Sequence, residues 1–447
     1  MSITPTGSIL WRDVRYGSTA FVLGVPTIPL LVLLPPLYAE TLGIGLTATG
    51  IALFAARTLD VFSDPLIGYV SDRLVSERGG RKPLIAGGAI LGAVGIYFLL
   101  SPPDGVNAWY LGLWAGLLYL GWTLISIPYL AWGASLSSDY QERTRITSIR
   151  EAFTLLGILA AAAIPAIAAG QGYSERVSLG FIAWGAIGLG VILFPVLLFS
   201  VRENRRPKSA ILTPATVSET ITQNQPFRLL IAGWFLNSLA NGIPAVLFIL
   251  FMKHVLAADD TERGVLTFIY FLAGVIGMPL WLILSSRIGK HRAWCLAMVL
   301  ACCAFALAPL LGNGDIVAFA CICALTGIAL GADMALPPAI QADVAEYEYF
   351  RSGHEATGTL FAIWSMITKL SFALSVLIAF PMLDALGFDP QLPPHDNNLI
   401  ALAVIYAVVP IVLKTGAIIL LWRYPLTAEK QAVIRQCLEK DTSRNHE

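Results

Sequence analysis

About twelve stretches of this chain are apolar for long enough to cross a bilayer, more than any soluble core could bury. A spanning helix needs about 20 mostly apolar residues to cross about 30 Å of hydrocarbon. Runs of that kind lie near 17–38, 46–72, 83–101, 107–135, 148–170, 177–200, 226–252, 264–286, 291–311, 315–345, 357–380 and 399–423. The 447 residues are 56% hydrophobic and 13% charged, about half the charge of a soluble domain. Lipid offers the backbone no partners, so the runs must be helices that satisfy their own hydrogen bonds. The expected fold is an all-α membrane protein of about twelve transmembrane helices.

Formal net charge is zero, which excludes a globally basic nucleic-acid binder, but the charges are ordered. With Met1 inside, most Lys and Arg fall in the N-terminus, the even-numbered connections and the tail. The other side keeps Arg176, Lys253 and Arg263. That asymmetry places both termini in the cytoplasm, of a plasma membrane (the inner one in a prokaryote). The first run is too long for a signal-peptide core and is expected to remain as a span. Hydropathy breaks after Arg202. The expected layout is a cytoplasmic N-terminus (1–16), a six-helix bundle (17–200), a central loop (201–225), a second bundle (226–425) and a cytoplasmic tail (426–447), helix-prone at first and disordered from Asp441. Two landmarks recur in register. Pro65-Leu66 precedes Arg73 as Pro279-Leu280 precedes Arg287, and Pro128 precedes Asp139-Tyr140 as Pro337 precedes Glu348-Tyr349. The repeat argues for duplication of a six-helix unit and for alternating access around a midplane site.

Charges inside the spans carry the functional signal, because each costs roughly 2.5–3.5 kcal/mol at the centre of a membrane. In span two, Arg57, Asp60 and Asp64 are three and four apart and share a face. With the inner end near Asp72, Asp64 lies about 12 Å deep and Asp60 about 18 Å. An Arg57–Asp60 pair that helps packing explains two of the charges. Two carboxylates binding a cation, with Ser63 as a neutral oxygen, explain the third. Na⁺ suits hard oxygens, and H⁺ suits a carboxylate whose pKa burial has raised. Asp72 and Arg73, with Arg81 beyond a Gly-Gly turn, read as a cytoplasmic gate; topogenic charge alone accounts for the bases but not for Asp72. Lys369 in span eleven is a candidate counter-charge to Asp60 or Asp64. Arg150 either snorkels or enters the cavity. Trp122 and Thr123 offer an aromatic face and a hydroxyl, while Lys414 in span twelve reads as structural or snorkelling.

Of the six cysteines, Cys295, Cys302, Cys303, Cys321 and Cys323 fall in apolar spans and Cys437 in the tail. They read as small buried hydrophobes, with no disulfide frame or zinc spacing. All five histidines lie in or near expected loops and the tail, which argues against an intramembrane metalloenzyme. No cofactor is expected, and no metal beyond Na⁺ at Asp60 and Asp64.

Arg57-x-x-Asp60-x-x-x-Asp64-Pro65-x-x-Gly68 resembles span two of the glycoside–pentoside–hexuronide:cation symporters, the melibiose-carrier branch of the major facilitator superfamily. Tyr16-Gly17, Ile127-Pro128, Ala342-Asp343-Val344, Glu346-Tyr347, Lys369 and Tyr424-Pro425-Leu426 extend the likeness along nearly the whole chain. The resemblance implies two pseudo-symmetric six-helix bundles and a cation site at Asp60 and Asp64. In it Ser63 replaces an asparagine ligand and Thr123 matches a threonine ligand. It also matches Lys369 to the family's span-eleven lysine and Arg150 to its span-five arginine near the sugar. Three departures oppose a melibiose-type sugar site: Gly24 and Ser126 replace sugar-binding aspartates, and Leu130 replaces a packing aromatic.

The reading is a secondary transporter, not an enzyme: a Na⁺- or H⁺-coupled symporter of a small organic solute, sugar-like among the options. Its substrate or coupling set is Arg57, Trp122, Ser126, Arg150 and Lys369. A lysophospholipid-like amphiphile is the alternative cargo, and a non-transporting scaffold is a remote one. The expected partners are the solute and membrane lipid, with the protein acting as a monomer.

Overall fold

The computed structural model describes residues 7–27, 29–34, 37–38, 42–44, 46–78, 80–137, 139–203, 214–386 and 396–444. Gly79, the basic run from Arg205 to Lys208, His395 and His446 lie outside these residues. The helices are α1 (Gly7–Gly17), α2 (Thr19–Gly24), α3 (Leu46–Arg78), α4 (Lys82–Leu100), α5 (Ala108–Ser135), α6 (Tyr140–Gly170) and α7 (Glu175–Ser200). They continue as α8 (Pro214–Gln223), α9 (Gln225–His254), α10 (Asp260–Ile288), α11 (Lys290–Phe305), α12 (Ile316–Ser352), α13 (Thr357–Ala385), α14 (Asp396–Leu421) and α15 (Ala428–Arg444).

Among the described residues ten helices are long and apolar enough to cross a membrane. The other two expected spans differ from these for reasons visible in the sequence. α3 has the length, at 33 residues, but it carries the intramembrane charges. Span one is interrupted: α2 stops before Pro26, and a π-helical turn (Pro29–Leu33) follows. Proline lacks the N–H that would continue the helical ladder.

Two compact units divide the chain. The first holds Met1–Val217 with Glu348–Ile363, and the second Ser218–Tyr347 with Trp364–Glu447. In the first, small residues let backbones touch, as membrane helix pairs require in place of a hydrophobic drive. A Cβ on Gly121 of α5 would stand 2.6 Å from the Gly92 nitrogen of α4. Tyr16 and Tyr129 lock α1 to α5: their rings stack at 4.4 Å. The Tyr16 hydroxyl donates to the Tyr129 carbonyl (2.8 Å), and the Tyr129 hydroxyl to the Tyr16 carbonyl (2.6 Å).

In the second unit Phe251 of α9 stacks on Tyr406 of α14 at 4.4 Å. The tail helix α15 folds against the same unit and runs through Asp441 to Arg444, where the sequence suggested disorder. Its Gln431 bonds the buried Glu346, and Tyr424 just before it donates to the Pro226 carbonyl (3.0 Å).

Candidate functional site

α3 and α5 bring together the residues that the charge pattern singled out. Gly112 and Gly116 line the facing side of α5, where a Cβ would stand 3.8 Å from Ala52 and 3.7 Å from Leu59 of α3. Beyond this seam the Thr123 hydroxyl oxygen lies 2.7 Å from Asp60 Oδ1 and 3.0 Å from Asp64 Oδ1. Asp64 and Thr123 are buried, at 0% and 1% exposure, and Asp60 is half-buried. A hydroxyl carries one proton, so it cannot donate fully to both acids. Two carboxylates and a hydroxyl around one point form a hard-oxygen set of the kind that can bind a monovalent cation or share a proton.

Ser63 is buried beside them, but its hydroxyl proton goes to the Asp60 carbonyl of its own helix (3.0 Å). Its lone pairs are what it can offer a cation. Arg57 is exposed, so the shared face runs from an exposed base to a fully buried acid over two turns. Ser126, one turn past Thr123, is half-buried. Trp122 lines an apolar groove of about 380 Å³ among α2, α4, α5 and α7. One residue is about 100° of helix, which separates Trp122 from Thr123.

Arg150 of α6 does not snorkel. It is 5% exposed, and its Nε donates to Glu151 Oε1 (3.0 Å) with a second, shorter bond from the terminal nitrogen. Tyr16 and Tyr129 stand around the guanidinium. Nearby, a Cβ on Gly24 would meet the Thr154 carbonyl of α6 at 2.2 Å, and one on Gly157 the Phe21 carbonyl at 2.2 Å. The backbones of α2 and α6 are in contact there, so no aspartate fits at position 24.

At the far end of α3, Asp72 caps another helix. The Gly358 N–H donates to its Oδ1 (2.6 Å), and the Thr359 N–H and hydroxyl to its Oδ2 (2.7 and 2.8 Å). These are orphan donors at the start of α13, where an anion is favoured. Position 358 has no room for a side chain, since its Cβ would meet Asp72 Oδ1 at 2.7 Å and the Gly68 carbonyl at 2.9 Å. Arg81, 1% exposed, bridges the acids: Asp72 at 3.6 Å, Glu203 at 3.4 Å and Glu355 at 3.5 Å. Its backbone N–H also donates to Glu203 Oε2 (2.9 Å). Arg73 is exposed.

Residues 15–428 match the model of one family, described as MFS/sugar transport protein. The chain belongs to that family. Its relatives within MFS/sugar transport include the glucuronide carrier protein homolog of Escherichia coli, 22% identical over 88% of this chain and 87% of the relative. The putative glycoside/cation symporter YagG of the same organism is 26% identical over 91% and 90%. The sodium-dependent lysophosphatidylcholine symporter 1 of Homo sapiens is 24% identical over 89% and 79%. Among solved structures, the outward conformation of the major facilitator transporter FucP superposes with a TM-score of 0.66 at 13% identity, covering 92% of this chain and 99% of that one. A bacterial homologue of the iron transporter ferroportin gives 0.63 at 16% identity, over 93% and 98%. These likenesses establish the major facilitator fold of an integral membrane protein.

This family member also holds a polar centre that the sequence reading missed. In the second unit Asp333 of α12 accepts from Trp294 Nε1 (2.6 Å) and Asn241 Nδ2 (2.8 Å). Lys414 of α14 lies 3.6 Å from its Oδ2 and donates to the side-chain oxygens of Asn237 and Asn241 (2.7 Å each). Lys414 is 1% exposed, so it does not snorkel; it is held inside the unit. Lys369 of α13 is half-buried in the same unit, next to Thr368, whose hydroxyl oxygen accepts from Trp234 Nε1 (2.7 Å). The cysteines divide: Cys295 and Cys323 are buried, whereas Cys303 and Cys321 are exposed. Glu203, Glu355 and Glu151 lie in polar breaks or beside another charge, where an acid draws no notice. Only Gly358-Thr359, a small-residue start to span eleven, carried a faint signal of a capped helix.

Proposed function

We propose that this chain is a cation-coupled symporter of a small organic solute, working by alternating access between its two six-helix bundles with both termini in the cytoplasm. The observation that carries the reading is the meeting of Asp60 and Asp64 over the Thr123 hydroxyl inside a membrane-spanning unit. Buried acids in a membrane mark ion pathways by default, and relatives of this chain are named as cation symporters. The coupling ion is Na⁺ or H⁺, held by Asp60, Asp64 and Thr123 with a lone pair from Ser63. Its binding lowers the cost of closing around solute, so the two sites couple through one equilibrium. Lys369 is the counter-charge when the cation is absent, and Arg57, Ser126 and Arg150 line the route between ion and solute.

Asp72 and Arg81 form the cytoplasmic gate. With Asp72 on the α13 amides the gate is closed, and release of those bonds frees the start of α13. Asp72 therefore acts as a bistable contact of the kind that switching transitions use. A lysophospholipid-like cargo is the second reading. It is favoured by the α2–α6 contact at Gly24, which leaves no carboxylate on that wall for a sugar, and by the human relative's name. Concentrative uptake into proteoliposomes under Na⁺ and H⁺ gradients tests the proposal. Asp60→Asn is expected to abolish uphill accumulation, and an Asp60→Asn carrier that still concentrates solute would refute the assignment.

A further inference from the structure

The apolar groove of about 380 Å³ in the first unit exists because α4 and α7 both present small residues to it. Ala86, Ala89, Gly92 and Ala93 come from α4, and Ala186 and Gly190 from α7. Gly92 leaves it open, since a Cβ there would meet nothing within 4 Å. The lining also takes in Leu23 and Pro26, where the first span breaks off. Ile90 and Val191 line the groove while each stays 70% exposed, so it opens on the outside of the unit. Both α4 and α7 are long and apolar enough to cross a membrane, and that outside therefore meets hydrocarbon.

From Ala186 to Leu198 the lining runs about 18 Å along α7, a little over half of the roughly 30 Å of hydrocarbon in a bilayer. A volume of about 380 Å³ over that length makes a channel about 5 Å across, well under the roughly 10 Å diameter of a helix. One string of methylenes fits it, and a helix of another protein does not. One end of the channel is basic. Lys82, one turn before Ala86, donates from Nζ to the Leu198 and Val201 carbonyls at the end of α7 and lies 5.3 Å over the Trp132 ring. An ammonium has three donors, so one remains after these two carbonyls. Arg202, one turn past Leu198, is exposed. The other end, at Ile96 and Ile187, is hydrocarbon.

We propose that this groove holds one acyl chain of a resident membrane phospholipid, with the lipid phosphate at Lys82 and Arg202. The tail answers a wall of apolar side chains, whose empty space otherwise forfeits dispersion contacts. The phosphate answers two bases at the mouth, as basic residues beside a membrane attract anionic lipid. With both termini in the cytoplasm, the lipid belongs to the cytoplasmic leaflet. It sits on the outer wall of the unit and is a fixed ligand, distinct from any solute that crosses the protein.

Native mass spectrometry of purified full-length protein, stripped of lipid and then titrated, reads the affinity of the first lipid bound. The probes are dioleoyl phosphatidylglycerol, its dihexanoyl analogue (phosphate without a long tail) and dioleoylglycerol (tails without phosphate). The wild type should hold the dihexanoyl analogue about tenfold or more weakly than the long-chain phospholipid, the buried tail being lost. It should hold dioleoylglycerol about fivefold or more weakly, the phosphate being lost. Gly92→Leu puts a side chain into the open space of the groove and should weaken the long-chain phospholipid about tenfold or more. Gly190→Leu plugs the α7 wall, where a Cβ has ordinary contacts from 3.6 Å, and repeats the test should the first variant fail to fold. Arg202→Gln should weaken the phospholipid about fivefold and leave dioleoylglycerol unchanged. The proposal is overturned by a plugged variant that binds as wild type does, or by an Arg202→Gln protein that loses nothing. It is overturned equally by a wild type that holds either partial probe as tightly as the whole lipid, or that pairs with a second copy in place of taking lipid. The comparison of probes on the wild type needs no variant to fold.

Discussion

In the second unit Asp333 is met by an indole, an amide and, at 3.6 Å, an ammonium. In the first, Asp60 and Asp64 converge on the hydroxyl of one threonine. Both centres sit among membrane-spanning helices, yet they are finished differently. Lys414 brings a cation that is covalently part of the chain and cannot leave. Thr123 brings a single proton to two acids, and under the proposed function the charge that joins them there is one that can come and go. A tethered cation makes a fixed joint among α9, α12 and α14, and on the proposed reading an exchangeable one makes a coupling site.

Breaking the fixed joint should produce the largest effect. Lys414→Met keeps the side-chain volume but leaves Asp333 buried without its cation, at a cost of about 3–5 kcal/mol. Lys414→Met/Asp333→Asn should recover most of that loss. Denaturant unfolding in detergent measures both, and a double variant as unstable as the single one would mean that the pair is not the joint. In the other centre, Asp64→Asn should fold nearly as well as wild type but lose about 100-fold or more in uphill uptake, close to 3 kcal/mol of coupling. A stability loss there as large as that of Lys414→Met would erase the contrast.

The Asp72 cap lies between these extremes. Asp72→Asn keeps an acceptor but removes the charge that holds the Gly358 and Thr359 amides, a loss of about 1–3 kcal/mol. Hydrogen exchange at residues 357–360 should then quicken at least tenfold, and unchanged protection would show that the cap is not what holds α13. The smallest effect is expected at Thr123. Thr123→Val should weaken the cation about tenfold, and Thr123→Ser should stay close to wild type. Equal losses from both would point to shape rather than to the hydroxyl.

The first centre was legible in the sequence because its acids stand in an apolar run, where every charge is expensive, at a spacing that fixes a common face. Thr123 was noticed as a hydroxyl near Pro128, but its role as an ion ligand came only through the family resemblance, a threonine in a membrane helix being unremarkable by itself. Asp72 and Arg81 were legible for the same reason as Asp60. Their partners Glu203 and Glu355 were not, because an acid at the edge of a span is ordinary. Lys414 was read as structural or snorkelling, and the structure shows the structural alternative. Its partners lie on helices far away in sequence, and two of them, Asn237 and Asn241, are uncharged amides that a search for intramembrane charge passes over. The interrupted first span could be anticipated from Pro26 and Pro29, although its length suggested a continuous helix.

The most direct measurement is a cation titration of thermal stability, comparing purified wild type with Asp60→Asn/Asp64→Asn. NaCl would be varied at constant ionic strength, and pH varied in a separate series. A cation that binds only the folded protein stabilises it by about 2.7 kcal/mol at 100 times its Kd. The account predicts a saturable rise in Tm with Na⁺ or on acidification for the wild type, and a flat response for the double variant. A double variant that keeps the wild-type response, or a wild type that responds to neither ion, would contradict it.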